Sequence, residues 1–143
     1  MLRQFLVGAA ATASTVAIHA LIMAVVVWTV RRATVRRTDR EQLRLIGIMI
    51  AAVLVLTTAH AAEVMVWALT YLLVDAAPPD ADLVYFAFVN YTTLGYGDVV
   101  PVDRWRLLGP ITAMNGVLMF GWSTAVIFEV LRKTSAGDAL ALR

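Results

Sequence analysis

The chain has 143 residues, of which 61% are hydrophobic and only 15% charged, with a formal net charge of +2 and a pI near 9.4. Soluble domains average about 45–50% apolar and about a quarter charged residues, so a mean hydropathy of +0.78 excludes an ordinary soluble domain and indicates a membrane protein. The absence of cysteine excludes disulfides, thiolate zinc sites and iron–sulfur clusters.

A transmembrane helix needs about 20 mostly apolar residues. In chain order, the first stretch long enough is 5–30, inside an N-terminal segment 1–30. A cleaved signal would carry its positive charge before the apolar core. Here the heavy charge follows it, so an uncleaved helix is expected. Its Gly8, Ala9, Ala10, Ala11, Ala13 and Ser14 form a small-residue surface suited to close helix contact. His19 reads as a packing residue.

Segment 31–44 carries six arginines: Arg31, Arg32, Arg36, Arg37, Arg40 and Arg44. Between apolar runs, this fits a short cytoplasmic loop that anchors to anionic lipids, and not a nucleic-acid surface. The spacing lacks the sustained triplet of a voltage sensor and the arginines lie outside an apolar helix. The positive-inside rule then puts the N-terminus outside and the C-terminus in the cytoplasm.

Segment 45–74 is the second span. It contains His60 and Glu63 on one face, continued by Trp67, Thr70 and Tyr71. Ionisable side chains inside a membrane helix are functional candidates by default. Two readings stand: a hydrogen bond to a neighbouring element around Asn90 or Tyr91, and a pH-sensitive pair.

Pro78 and Pro79 break the chain, and Asp80 or Asp82 can cap the helix that follows. The apolar run at 83–93 is too short to span, so it reads as re-entrant, with a short helix over 82–92. It ends in Thr92-Thr93-Leu94-Gly95-Tyr96-Gly97-Asp98. Gly95 and Gly97 can adopt left-handed conformations without a Cβ penalty. Five aspartates, Asp75, Asp80, Asp82, Asp98 and Asp103, fall on the outer side and would concentrate cations there. The third span ends the core at 105–131, with a tail at 132–143. The tail is too short for a ligand-binding domain.

This order of elements, with Thr-Leu-Gly-Tyr-Gly-Asp between the second and third spans, resembles the potassium channel pore-domain superfamily. The resemblance covers roughly 45–133, and the run from Phe120 to Ala125 is similar to small bacterial members. It implies an all-α membrane protein with three transmembrane helices, a re-entrant pore helix and a selectivity filter at 93–98, assembled as a tetrameric pore. The pore domain would be 45–131: outer helix 45–74, pore helix 82–92 and inner helix 105–131. By this resemblance Thr93, Leu94, Gly95, Tyr96 and Gly97 form the filter, with K⁺ at the first four and at the Thr93 hydroxyl. Tyr96 would point back onto the pore helix. Tyr85, Phe86 and Asp98 would support the filter, and Tyr91 and Phe88 would wedge it. Gly116 and Gly121 stand near the usual gating hinge, with Gly116 the favoured counterpart, though glycine there can equally serve packing. Asn115 either faces the cavity or bonds a neighbouring helix.

The sequence departs from the pattern at Leu94, where valine is usual, and at Val89, where some relatives carry a bracing glutamate. Tyr85 is then the candidate partner for Asp98. The implied function is passive K⁺ conduction by a homotetramer, without enzyme activity, voltage sensor, cofactor other than the ions, or nucleic-acid partner. The expected location is the cell membrane, as in a bacterial inner membrane. A K⁺ uptake transporter would carry four degenerate filter repeats in one chain, which this sequence lacks. A subunit that modifies another channel would conduct nothing alone.

Overall fold

The computed structural model describes residues 1–33 and 41–141. Arg36, Arg37 and Arg40 of the basic segment lie outside them. Four helices follow in order: α1 (Leu2–Ala33), α2 (Glu41–Val74), α3 (Leu83–Tyr91) and α4 (Leu108–Ala141), with a single 3₁₀ turn at Asp103–Trp105 before α4. Three of them are long and apolar enough to cross a membrane, over Leu2–Thr29, Gln42–Val74 and Asp103–Arg132. Their outer surfaces carry exposed Leu, Val, Ile and Phe, as expected where lipid or another chain replaces water. The protein is therefore a multi-pass, all-α membrane protein.

The helices overrun the expected limits. Helix α1 takes in Arg31 and Arg32, and α2 begins before Arg44. Helix α4 continues through the expected tail to Ala141. Ser135, Ala136, Asp138, Ala139 and Leu140 offer no proline to stop it, and a lone glycine costs only about 1 kcal/mol. At its start, the 3₁₀ turn and Arg106-Leu107 displace the beginning of the α-helix to Leu108.

Helix α2 ends in a two-bond cap. Asp75 takes a left-handed conformation (φ 49°). Its N–H donates to the Leu72 carbonyl (3.3 Å), and the Ala76 N–H donates to that of Tyr71 (3.0 Å). These bonds satisfy carbonyls that the helix end would otherwise orphan. Ala76 is fully buried there, and its carbonyl accepts from the Val102 N–H at 2.9 Å. The segment after the candidate filter is thereby tied to the end of α2.

Contacts of α1 with α4 advance in the same direction. The Gln4 side chain accepts from the Leu107 N–H, Gly8 lies against Ile111, and His19 reaches Ser123. The two helices are therefore parallel, and α2 runs antiparallel to both. Helix α1 buries one stripe, Gly8, Ala11, Thr15, His19, Met23 and Val26, at helical spacing. Of the small-residue surface, Gly8 and Ala11 are buried, whereas Ala9, Ala10, Ala13 and Ser14 face outward. At Gly8 a Cβ would sit 2.9 Å from Ile111, so glycine permits the close approach. The core is aromatic: Trp67, Tyr71, Phe86, Tyr91 and Trp105 are almost completely buried.

Candidate ion pathway and its support

Helix α3 is nine residues long, about 14 Å, too short to cross a membrane. Of the two candidate caps, Asp82 serves: its carboxylate accepts from the Val84 N–H (3.0 Å) and the Tyr85 N–H (3.1 Å). Phe86, Ala87, Val89 and Tyr91 are its buried residues. The ring of Phe86 lies 4.8 Å from that of Tyr71 on α2. Asn90 Nδ2 donates to the Tyr71 hydroxyl (3.3 Å), which pairs with Thr112 on α4 (2.6 Å).

The helix stops where the backbone changes hand. Thr93, Gly95 and Gly97 have φ of 60°, 57° and 80°, while Leu94 and Tyr96 between them do not enter the positive region. Glycine at 95 and 97 carries no Cβ penalty. Thr93 is β-branched, and at positive φ it is a conformational outlier. Such strain is held by surroundings and concentrates at functional sites. Here the Thr93 N–H donates to the Asn90 carbonyl (3.0 Å) and the Leu94 N–H to that of Val89 (3.0 Å). A left-handed Thr93 has no signature in residue type, so sequence reasoning missed it.

Residues 92–98 are all exposed in the single chain. Tyr96 is 69% exposed and does not pack on α3 of its own chain as expected. Leu94 is likewise 53% exposed. Tyr85, the expected partner of Asp98, donates its hydroxyl to Asp98 Oδ2 at 2.7 Å. That bond holds the Asp98 carboxyl below the usual carboxylate range and pushes the Tyr85 hydroxyl up.

Gly116 lies under the end of α3: a Cβ there would collide with the Tyr91 carbonyl. Its position is one of close packing. Gly121 has open space around it. Asn115 is fully buried and bonds neighbouring helices: its Oδ1 accepts from Trp67 Nε1 on α2 (2.9 Å) and lies 3.0 Å from Thr15 Oγ1 on α1.

The buried polar pair of α2 is part of a larger cluster. Glu63 Oε1 faces His19 Nδ1 on α1 at 2.7 Å, and its Oε2 accepts from the Tyr91 hydroxyl at the end of α3. His60 Nδ1 is 2.9 Å from that hydroxyl, and its Nε2 is 2.9 Å from Ser123 Oγ on α4. Ser123 Oγ is also 3.4 Å from His19 Nε2. The bond from α2 to Tyr91 matches one of the two readings of His60 and Glu63. His19 and Ser123 were missed. A histidine in an otherwise apolar helix was the one available signal, and pairing it with Glu63 needs the helix register. The ligand-type atoms of His19, His60 and Glu63 lie within 4.8 Å of one another. Each already has a protein hydrogen-bond partner, so the group stands as a hydrogen-bond network.

Two helices of membrane-spanning length thus cradle a short helix and an alternately handed loop. Residues 59–133 match the sequence model of a family described as ion channels, which covers the end of α2, α3, the loop and α4. The chain belongs to this ion channel family. No curated protein and no solved structure matches the chain.

Proposed function

We propose that the protein is one subunit of a homotetrameric, K⁺-selective channel that conducts passively. The observation that carries this reading is the alternation of backbone hand at Thr93, Gly95 and Gly97. Alternating hands turn successive carbonyls to one side of the strand, as a stack of dehydrated-cation cages requires. Thr93, Leu94, Gly95, Tyr96 and Gly97 then line the ion path, K⁺ sits at the carbonyls of the first four, and a single strand needs three copies to close the cage.

Supporting features act on the cation before it enters. The C-terminal end of α3 carries about half a negative charge, and Asp98 stays ionised beside Tyr85. Phe86 and Tyr91 hold α3 against α2, and Gly116 lets its end approach α4. Gly121, free of close neighbours, is the better hinge candidate of the two glycines. Helix α1 begins at the same end of the bundle as Leu107, so an outward-facing filter puts the N-terminus outside and the arginine segment in the cytoplasm. There Arg32 lies over the Trp28 ring at 4.1 Å, in a position to meet anionic lipid headgroups.

The test is K⁺ against Na⁺ flux from liposomes containing the purified chain, with and without Ba²⁺, beside a Gly95→Asp control. Selective, Ba²⁺-blocked flux that the control abolishes is expected. Equal Na⁺ and K⁺ flux would refute selectivity, and no flux from a folded tetramer would favour a subunit that modifies another channel.

A further inference from the structure

His19, Glu63, Tyr91, His60 and Ser123 form a closed ring. The contacts run His19 Nδ1–Glu63 Oε1, Glu63 Oε2–Tyr91 OH, Tyr91 OH–His60 Nδ1, His60 Nε2–Ser123 Oγ and Ser123 Oγ–His19 Nε2. Each of the five contacts needs one proton between its two heavy atoms. With Glu63 ionised and both imidazoles neutral, the ring holds four: one on each histidine, one on Tyr91 and one on Ser123. Four protons cannot serve five contacts. Tyr91 gives its proton to Glu63, so His60 Nδ1 directs its own to the Tyr91 oxygen at 2.9 Å, with Glu63 Oε2 as a further acceptor at 3.4 Å; either way Nδ1 is a donor. The Ser123 hydroxyl then has one proton for two facing Nε2 atoms.

We propose that this ring is a proton-binding site that holds a fifth proton, common to the carboxylate and the two imidazoles it links. Charge leads to the same count independently. Four protons leave a net negative charge on groups that are almost wholly buried at membrane depth, which is costly. Five protons make the ring neutral, either as an imidazolium–carboxylate pair or as a carboxylic acid beside two neutral imidazoles. A sixth would place two donors against Ser123 and leave a net positive charge. The ionisable groups that face the site are His19 from α1, His60 and Glu63 from α2 and Tyr91 from α3. Helix α4 presents Ser123, Trp122 and Phe120, none of which titrates. The ring therefore joins all four helices at one level, and its proton is what completes the joint. This inference does not depend on the channel reading, because its test measures protons and stability.

The chain has two histidines, so ¹⁵N-histidine labelling is unambiguous. In lipid nanodiscs at neutral pH, imidazole ¹⁵N shifts and the Glu63 side-chain ¹³C shift together count the ring's protons. Three protonated ring nitrogens with an ionised Glu63, or two with a protonated one, give five and support the site. Two with an ionised Glu63, or four, would overturn it. So would zinc retained at one per chain with both Nδ1 protons lost, which would make the cluster a metal site. Glu63→Gln supplies the missing donor through its amide and completes the ring from neutral groups alone. It should keep the neutral-pH melting temperature and lose the alkaline fall in melting temperature expected of the parent protein. An equal alkaline fall in both proteins would also overturn the proposal.

Discussion

At the scale of single residues, the candidate filter depends on backbone hand more than on side-chain chemistry. Gly95 has φ 57° and no neighbour closer than 4.0 Å to a built Cβ, so an alanine fits sterically but not conformationally. The left-handed penalty is roughly 1–2 kcal/mol per residue, repeated in every subunit. Gly95→Ala should therefore leave the helices intact by circular dichroism and abolish K⁺ selectivity in the liposome assay. A second residue-scale prediction concerns Asp98. Its carboxyl is held down chiefly by the Tyr85 hydroxyl, so it contributes stability above its unfolded titration range and loses it as pH falls through the folded one. Tyr85→Phe should raise the Asp98 titration midpoint, read by ¹³C carboxyl shifts, and make the outer mouth less negative in mild acid. Both groups face solvent, so screening keeps the stability effect small.

At the scale of elements, the seat of α3 decides the geometry of the loop that follows it. The Tyr91 carbonyl occupies the space a side chain at position 116 would need. Gly116→Ala must push α3 or α4 aside, and overpacking of this kind costs about 1–3 kcal/mol. The expected outcome is a lower melting temperature together with lost K⁺/Na⁺ discrimination, whereas Gly121→Ala, with open space, should keep both. Helix α1 is more than a peripheral anchor. Thr15 and His19 reach α4 and α2 through polar atoms buried in the core. Its polar stripe recurs at positions 15 and 19, one helical turn apart, within an otherwise apolar interface.

At the scale of the whole molecule, the homotetramer proposed above makes a prediction about the exposed apolar side chains. Tyr96, Leu94 and Phe88 are exposed, as are Met114, Val117 and Leu118 of α4. In the proposed tetramer such side chains are available for contact with further copies. Native mass spectrometry from detergent is expected to give four chains per particle, and Tyr96→Ala should shift the particle toward monomer. A stable monomer of the parent protein would remove the homotetramer.

Much of the architecture was legible in the sequence because its causes are local. Span lengths follow from apolar runs, the re-entrant helix from its shortness and from the prolines before it, and the loop from its two glycines. The Tyr85–Asp98 pair was legible too, because Tyr85 lies in one short helix and Asp98 in the loop that follows it. The limits of α4 were less so, since a helix end without proline or cap leaves no local mark. What only the tertiary structure decided are relations between distant segments. The parallel register of α1 on α4 brings His19 to Glu63, 44 positions away, and to Ser123, 104 positions away. The left-handed Thr93 arises from hydrogen bonds back into α3 and not from its own preference, which opposes that conformation. Sequence by itself determines what each segment prefers, because propensity, hydropathy and charge act over a few residues. Which polar atoms meet inside the membrane is decided by packing, because a buried donor must take the partner that the neighbouring helices place within reach.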